Sequence, residues 1–215
     1  SEQIKPELYT TLAGEGVDEF EEKRSLFIGH AKHVTSEEEA QQFVKQKKKE
    51  YSDATHNCWA YLLKGGIVAR YSDDGEPQGT AGMPVLDTIR KSGVDDACVV
   101  VTRYFGGIKL GTGGLARAYA DCVKKAAEKA GVKSVVWSTT FKTETSYAIY
   151  PKIVKIIEAG EGAVLNLEYL SSGVEITFCA PAEKASELVD KIVDYSQGKS
   201  AVLTLKEGYS EYDLL

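Results

Sequence analysis

The sequence has no apolar run of the roughly 20 residues that a membrane-spanning helix requires. Its first residues, Ser1–Leu12, also show no apolar core of a secretory signal. These two absences exclude an obvious membrane or secreted protein. We therefore expect a cytoplasmic location and no membrane partner.

Cysteine pairs and metal-ligand spacings are also missing. The four cysteines lie far apart in apolar surroundings, so we expect reduced core residues rather than disulfides or ligands. His30 and His33 are predicted to lie on opposite faces of one strand, which makes them a poor metal pair. Gly-x-Ser-x-Gly and the zinc spacings do not occur. The sequence therefore predicts no catalytic residue, no metal and no cofactor.

Positive charge is not in excess. The chain has 26 Lys and Arg against 32 Asp and Glu, a net charge of −6. Most of the negative excess falls after residue 137, so any site for a polyanion is expected before it. This balance argues against a protein that coats nucleic acid by charge alone, but it allows a local basic site.

Glycine, by contrast, is concentrated in residues 99–119, VVVTRYFGGIKLGTGGLARAY. Three consecutive valines predict a strand that is covered on both faces. Helical periodicity begins at Leu115, and Gly131 is expected to end that helix. The five glycines between strand and helix are Gly106, Gly107, Gly111, Gly113 and Gly114. Gly106, Gly107, Gly113 and Gly114 are expected to be intolerant of bulk. An alanine should be strained at any of them with a positive φ, and Gly113→Val should reduce stability.

These glycines form a candidate anion or nucleic-acid site. A glycine loop exposes backbone N–H groups, and the N-terminus of the following helix favours negative charge. Arg103, Lys109 and Arg117 add positive charge to it. The strict dinucleotide-binding spacing G-x-G-x-x-G does not occur, and no Gly-Lys-Ser/Thr closes the loop as in a P-loop. Two interpretations stay open: an anion site, or a tight turn between strand and helix.

Asp73, Asp74 and Glu76 form a second candidate motif, a possible part of the same site. They lie in a segment that predicts a tight exposed turn, before a helix that Thr80 is expected to cap. The alternative is a structural turn, in which the carboxylates accept backbone N–H groups or pair with Arg70 or Arg103. A metal-binding role is disfavoured because the spacing of an EF-hand is absent.

The remaining patterns predict an α+β chain of two domains, residues 1–137 and 138–215. In the first we expect a strand over 8–12, a charged loop over 14–24 and a strand over 23–34. A capping box from Ser36 to Glu39 predicts a helix with lysines mostly on its outer side. A hairpin is predicted to turn at Gly65–Gly66. After residue 137 the order βαββαβ is typical of a ferredoxin-like domain.

Two long motifs carry a family resemblance. The segments YSDDGEPQGTAGMP at 71–84 and VTRYFGGIKLGTGGLARAY at 101–119 resemble the signature of the IMPACT family. The resemblance implies a bacterial two-domain member with domains similar to domains IV and V of elongation factor G. The first would then be a ribosomal-protein-like α/β sandwich. Eukaryotic relatives are implicated in translational control through a starvation-responsive kinase, which makes a translation-regulatory protein a candidate partner.

We therefore expect a translation-associated regulator that binds RNA or the ribosome. Two alternatives remain open at this point. One is an enzyme or binder that acts on a small phosphorylated or nucleotide ligand. The other is a protein-interaction module that contacts no nucleic acid. The sequence indicates no oligomeric state.

Overall fold

The computed structural model describes residues 8–211, which form a mixed α+β structure. Contacts divide the chain into two compact units. The first is Tyr9–Lys133, and the second contains the residues from Ser134 onward together with Leu8. This division falls slightly before the predicted boundary after residue 137. The outer ends of the two predicted domains, residues 1–7 and 212–215, lie outside the described residues.

Residues 8–130 form six strands and three helices. The strands are β1 (Leu8–Leu12), β2 (Glu15–Glu22), β3 (Ser25–His33), β4 (His56–Leu63), β5 (Val68–Ser72) and β6 (Ala97–Tyr104). The helices are α1 (Glu37–Glu50), α2 (Gly82–Lys91) and α3 (Thr112–Ala130). Five strands form an antiparallel sheet in the order β2-β3-β6-β4-β5.

Strand β6 lies at the centre of this sheet and is covered on both faces, as its valines predict. Val99 and Val101 pack in the core that α2 and α3 form on one face. Cys98 and Val100 pack in a second core beneath α1 on the other face. The end of β6 is thereby fixed in position, and the glycine loop begins directly after it.

The prediction of a charged loop over 14–24 is wrong for most of that segment, which forms β2. Gly16 faces α3 so closely that a Cβ there would lie 2.2 Å from the backbone nitrogen of Ala130. Phe20 faces the same way and stacks on Phe27 at 5.4 Å. The glutamates of β2 occupy mostly exposed positions, so its composition is that of a loop although its backbone pairs with β3.

Helix α1 begins at the predicted cap. The hydroxyl of Ser36 accepts a hydrogen bond from the backbone nitrogen of Glu39 at 3.1 Å. The Glu39 carboxylate reaches the backbone nitrogen of Thr35, at 2.7 Å. Lys47 departs from the expected outer row of lysines, since it is buried with its ammonium 2.9 Å from Glu50.

The second unit has the predicted βαββαβ order. Its elements are β7 (Val132–Thr145), α4 (Tyr150–Ala159), β8 (Ala163–Tyr169), β9 (Val174–Pro181), α5 (Ala182–Tyr195) and β10 (Val202–Glu211). Residues 134–137, predicted as a separate short segment, are part of β7. The strands lie in the antiparallel order β10-β7-β9-β8. Ile153 of α4 and Leu188 of α5 share one core with Phe141 and Phe178 of the sheet. Within residues 8–211, no helix has the length and apolarity to cross a membrane.

His30 gives the first unit an expected pH dependence. The side chain is buried, with its ring centroid 4.9 Å from that of Tyr51, and neither ring nitrogen has a hydrogen-bond partner among the described residues. Burial, aided by the charge of Lys47 and opposed by that of Glu50, lowers the pKa of His30 to about 4. The unfolded chain, with an ordinary pKa near 6.5, therefore binds more protons than the folded one between these values.

We expect the stability of the first unit to fall as the pH decreases from 6.5 towards 4, by about 2–3 kcal/mol from this residue. His30→Leu keeps the site apolar and removes the titrating group. Urea unfolding at pH 7 and pH 4.5 should show a smaller pH dependence in His30→Leu than in the wild type. If the free energy of unfolding changes equally between the two pH values in both proteins, the His30 side chain is solvated in the folded protein.

Candidate functional site

The two sequence motifs meet at a buried ion pair. Arg103, at the end of β6, donates from Nη1 to Oε1 of Glu76 at 2.6 Å, and both side chains are almost fully buried. Glu76 reaches this point from the turn after β5. The hydroxyl of Tyr119 on α3 donates to the same oxygen at 2.8 Å. Arg103 also donates to the hydroxyl of Ser25 at 3.2 Å.

The surroundings of Arg103 stabilise its charge only in part. Its guanidinium lies over the rings of Phe27 and Phe105, at 5.5 and 5.4 Å from their centroids. Its Nε atom is buried without a hydrogen-bond partner among the described residues. Glu76 is the main partner of the buried Arg103 guanidinium. Without that carboxylate, the positive charge would be buried and uncompensated. The pair therefore joins the two motifs structurally.

Arg103 was predicted to contact a bound anion, and this placement corrects that prediction. The side chain is 4% exposed, and its guanidinium is directed at Glu76 and Ser25. To contact an external phosphate it would have to leave Glu76 buried and unpaired. The alternative interpretation was that a carboxylate of the acidic turn forms a structural ion pair with Arg103. The structure shows this pair, and the carboxylate is that of Glu76 rather than Asp73 or Asp74.

The acidic turn is a structural element as well. Both carboxylate oxygens of Asp73 accept backbone N–H groups, from Gly79 at 2.8 Å and from Ala81 and Gly82 at 3.1 and 2.8 Å. Asp73 thereby caps α2. Thr80, the predicted cap, instead donates its hydroxyl to the carbonyl of Pro77 at 2.6 Å.

Asp74 and Glu76 complete the same turn. Asp74 accepts from the backbone nitrogen of Asn57 at 2.7 Å and forms an ion pair with Lys48. Glu76 was placed in an exposed turn by its sequence, but it is 8% exposed. Each carboxylate of the second motif thus has a structural partner. Asp73 caps α2, Asp74 accepts a backbone N–H group of β4, and Glu76 pairs with Arg103. The structure does not bring them to the exposed surface of the glycine loop.

Three further side chains near Glu76 were not identified as a group from the sequence. The Nε2 atom of His56 lies 3.7 Å from Oε2 of Glu76, and its Nδ1 atom lies 2.9 Å from the carbonyl of Asp74. Cys58 donates to the carbonyl of Asp73 at 2.9 Å. Burial, together with neighbouring Cys58 and Glu76, raises the pKa of Tyr119, and burial raises that of Cys58. Neither group is an activated nucleophile or base at neutral pH.

The glycine loop itself lies open at the surface. Lys109 and Arg117 are exposed, and neither forms an ion pair with any residue in 8–211. Phe105 and Ile108 are 46% and 41% exposed, while Leu110 is buried and fixes the loop to the core. No side chain caps the N-terminus of α3. The loop and the start of α3 therefore expose both apolar and cationic side chains.

The glycines of this loop have different roles. Gly107 and Gly111 have φ values of +86° and +76°, which favour glycine. Gly106 is required by space, because a Cβ there would lie 1.8 Å from the carbonyl oxygen of Arg24. Gly113 has open space and no positive φ, so neither backbone strain nor a close contact supports its expected intolerance of bulk. A Cβ at Gly114 would lie 3.2 Å from that of Leu110, a tight contact.

Fold and site together define a two-unit α+β protein whose two motifs meet in a buried ion pair beside an exposed glycine loop. The sequence profile of the Impact N-terminal domain matches residues 23–127, which include both motifs. IMPACT family member YvyE of Bacillus subtilis is 36% identical over 205 residues, covering 95% of this chain and 93% of that protein. YigZ of Escherichia coli is 34% identical over 188 residues, covering 86% and 92%. The chain belongs to the IMPACT family, as the resemblance predicted.

A solved structure of similar sequence supports the α+β architecture over most of the chain. The crystal structure of a hypothetical protein superposes with a TM-score of 0.62 at 32% identity. It covers 94% of this chain and 98% of that one. A protein IMPACT homolog of Dictyostelium discoideum is 40% identical over 111 residues, which are 49% of this chain and 30% of that protein. Similarity to that eukaryotic relative is therefore confined to part of each chain.

Proposed function

We propose that this protein is a cytoplasmic, translation-associated regulator that binds single-stranded RNA, including RNA exposed on the ribosome. It binds through one exposed region of the first unit, which we call the glycine-loop surface. That surface consists of Phe105, Gly107, Ile108, Lys109, Gly111, Gly113, Gly114 and Arg117. The single observation that carries the proposal is that two cations and an aromatic ring are exposed on the same loop and helix start.

Its charges are free to bind phosphate. Lys109 precedes the N-terminus of α3 and Arg117 lies one to two turns inside it, and both lack an ion pair in the described chain. The helix N-terminus adds backbone N–H groups and a partial positive charge. Phosphate contacts of this kind position a nucleic acid without reading its sequence.

Phe105 supplies a stacking surface next to these charges. One side of the ring lies over the guanidinium of Arg103, at 5.4 Å, and the residue is 46% exposed. The buried Arg103 is itself fixed by Glu76. A ring that is held in position and half exposed, with cations beside it, is the arrangement that binds unpaired bases.

Family membership supports the link to translation. The IMPACT resemblance implies domains similar to domains IV and V of elongation factor G, with a ribosomal-protein-like first unit and a ferredoxin-like second unit. The βαββαβ order and the strand order β10-β7-β9-β8 support the ferredoxin-like assignment of the second unit. A translation-regulatory protein as partner is a further part of this proposal.

The enzyme alternative is less well supported. Of the titratable groups near the two motifs, Cys58, Tyr119 and Glu76 are buried and hydrogen-bonded in a chain. His56 is partly exposed, and its Nδ1 atom is hydrogen-bonded to the carbonyl of Asp74. A general base or nucleophile must reach the substrate directly. Among the described residues, no group of three His, Cys, Asp or Glu side chains could hold a metal ion.

The test uses three matched alanine variants. Lys109→Ala and Arg117→Ala should weaken binding to a fluorescent 12-nucleotide oligouridylate, and each should lower the salt slope of binding by about 0.7. Lys129→Ala is the control, because it lies in the last turn of the same helix, roughly 25 Å from the N-terminus. Melting temperatures should barely change, since exposed charges contribute little to stability.

The result separates the proposal from its alternatives. RNA binding that is equal in Lys109→Ala, Arg117→Ala and Lys129→Ala would remove the glycine-loop surface from the interface. Absence of RNA binding in the wild type, combined with nuclease-insensitive capture of a protein from lysate, would favour the protein-interaction module. A thermal shift with nucleotides alone would favour the small-ligand alternative.

A further inference from the structure

A groove lies on the other face of the first sheet, between α1 and β4. We call it the α1–β4 groove, and its volume is about 310 Å³. It is lined by Gln41, Val44, Lys45, Lys48, Trp59 and Tyr61. The helical residues follow one stripe of α1, and the two aromatic residues lie two apart on one face of β4. Helix α1 covers this face of the sheet only in part, so the groove stays open.

The aromatic wall is ordered in a way that suits a flat ligand. The rings of Trp59 and Tyr61 are parallel within 5°, with centroids 5.5 Å apart. Tyr61 is buried and donates its hydroxyl to Glu37 at 2.9 Å, which fixes the pair of rings. Trp59 is only half-buried. An indole held parallel to a fixed ring offers a stacking surface without losing rotamer freedom on binding.

The opposite wall is cationic. Lys45 and Lys48 are exposed, and no carboxylate is among the residues that line the groove. Lys48 is paired with Asp74, whereas Lys45 forms no ion pair within residues 8–211. Arg70 lies beside Tyr61 on the neighbouring strand and is 3.6 Å from Glu37. The groove therefore has an uncompensated positive charge next to an aromatic wall.

We propose that the α1–β4 groove binds one unpaired nucleotide of single-stranded RNA. The base stacks against Trp59, the Gln41 amide faces its polar edge, and Lys45 contacts the phosphate. This inference rests on the proposed function and adds a second contact to it. A volume of 310 Å³ is at the lower end of small-ligand sites, the size of one nucleotide rather than of a folded partner. An acidic peptide would use the lysines but leave the parallel rings without a stacking partner.

The experiment follows Trp59 directly. The sequence contains two tryptophans, so Trp137→Phe leaves Trp59 as the only one. Titration of this protein with the 12-nucleotide oligouridylate should quench Trp59 fluorescence, with the same midpoint as the anisotropy of the labelled RNA. Trp59→Leu should weaken RNA binding about tenfold or more if the base stacks there. Circular dichroism of that variant checks that α1 still packs.

Lysine variants test the cationic wall without disturbing the core. Lys45→Gln should lower the salt slope of RNA binding by about 0.7 and weaken binding. Lys49→Gln is the matched control, because Lys49 is exposed on the same helix but does not line the groove. An equal effect of the two substitutions would overturn the assigned phosphate contact.

The outcomes distinguish the groove from the glycine-loop surface. RNA binding by anisotropy without quenching of Trp59 overturns the groove and leaves the proposed function in place. Quenching that persists while Lys109→Ala and Arg117→Ala bind normally supports the groove and overturns the glycine-loop surface. If neither the anisotropy of the labelled RNA nor the fluorescence of Trp59 changes, both the glycine-loop surface and the α1–β4 groove are overturned as RNA sites. Equal quenching by poly-glutamate overturns the nucleotide assignment in favour of an acidic peptide.

Discussion

Arg103→Ala is expected to destabilise the first unit by about 3–5 kcal/mol, because it leaves the Glu76 carboxylate buried without its cation. The hydroxyl of Tyr119, 2.8 Å away, would remain its hydrogen-bond donor, but a neutral hydroxyl compensates a buried charge only partly. The loss of contacts with Phe27 and Phe105 adds to this cost. Urea unfolding of the full chain, followed by Trp59 fluorescence in a Trp137→Phe background, measures the change.

The double variant Arg103→Met and Glu76→Leu is the control for a buried charge. Because both charges are then removed and the volume is kept, it should recover most of the lost stability. Equal destabilisation in the single and double variants would show that packing, rather than the unpaired carboxylate, causes the loss. RNA binding by the folded double variant should persist at reduced affinity, since Phe105 would lose the guanidinium beneath it.

The sequence identified both members of this ion pair but not the pairing. Asp73, Asp74 and Glu76 have the same charge and lie within four positions, so pattern alone cannot assign their partners. The assignment depends on the turn, in which Asp74 has a φ of 42° and Gly75 a φ of 88°. That backbone directs Asp73 to the start of α2 and Glu76 inward. The conformation of a single turn leaves no periodic pattern in the sequence, so these partners could not be predicted from it.

Periodicity was most informative where one face is buried. The central valines, the hairpin around Gly65–Gly66 and the βαββαβ order all follow from it, and the structure confirms them. It failed at β2, where glutamates occupy most of the exposed positions and Gly16 replaces the expected apolar residue. A glycine that faces a helix carries no hydrophobic signal, although its lack of a Cβ is what allows β2 and α3 to approach.

The residues assigned to the candidate site differ in their accessibility. Lys109 and Arg117 lie at the exposed glycine loop, whereas Arg103 has the same side-chain type and is buried. The sequence does not show which of these cations is buried. Arg103 is buried because the Glu76 carboxylate, which comes from another segment of the chain, pairs with it. The α1–β4 groove was also not identified, since its lysines and its aromatic residues lie on different elements.

Gly106→Ala is expected to destabilise the first unit by about 3 kcal/mol through overpacking. The new Cβ would lie 1.8 Å from the carbonyl oxygen of Arg24 and 2.5 Å from its Cβ. Arg24 cannot easily move, because it belongs to the two-residue turn between β2 and β3, where Lys23 and Arg24 have φ values of 48° and 63°. Urea unfolding measures the loss, and heteronuclear NMR shows whether the perturbation starts at this turn.

A shift of this turn would also reach the ion pair. Ser25 follows the turn directly, and its hydroxyl accepts from the backbone nitrogen of Gly106 at 3.3 Å and from Arg103 at 3.2 Å. We therefore expect Gly106→Ala and Arg103→Ala to be less than additive when combined, since both disturb the same contacts. Gly113→Ala is the matched control, as open space and the helical position predict a neutral or slightly stabilising change. If Gly106→Ala proves as stable as Gly113→Ala, the loop does not pack against Arg24 in solution.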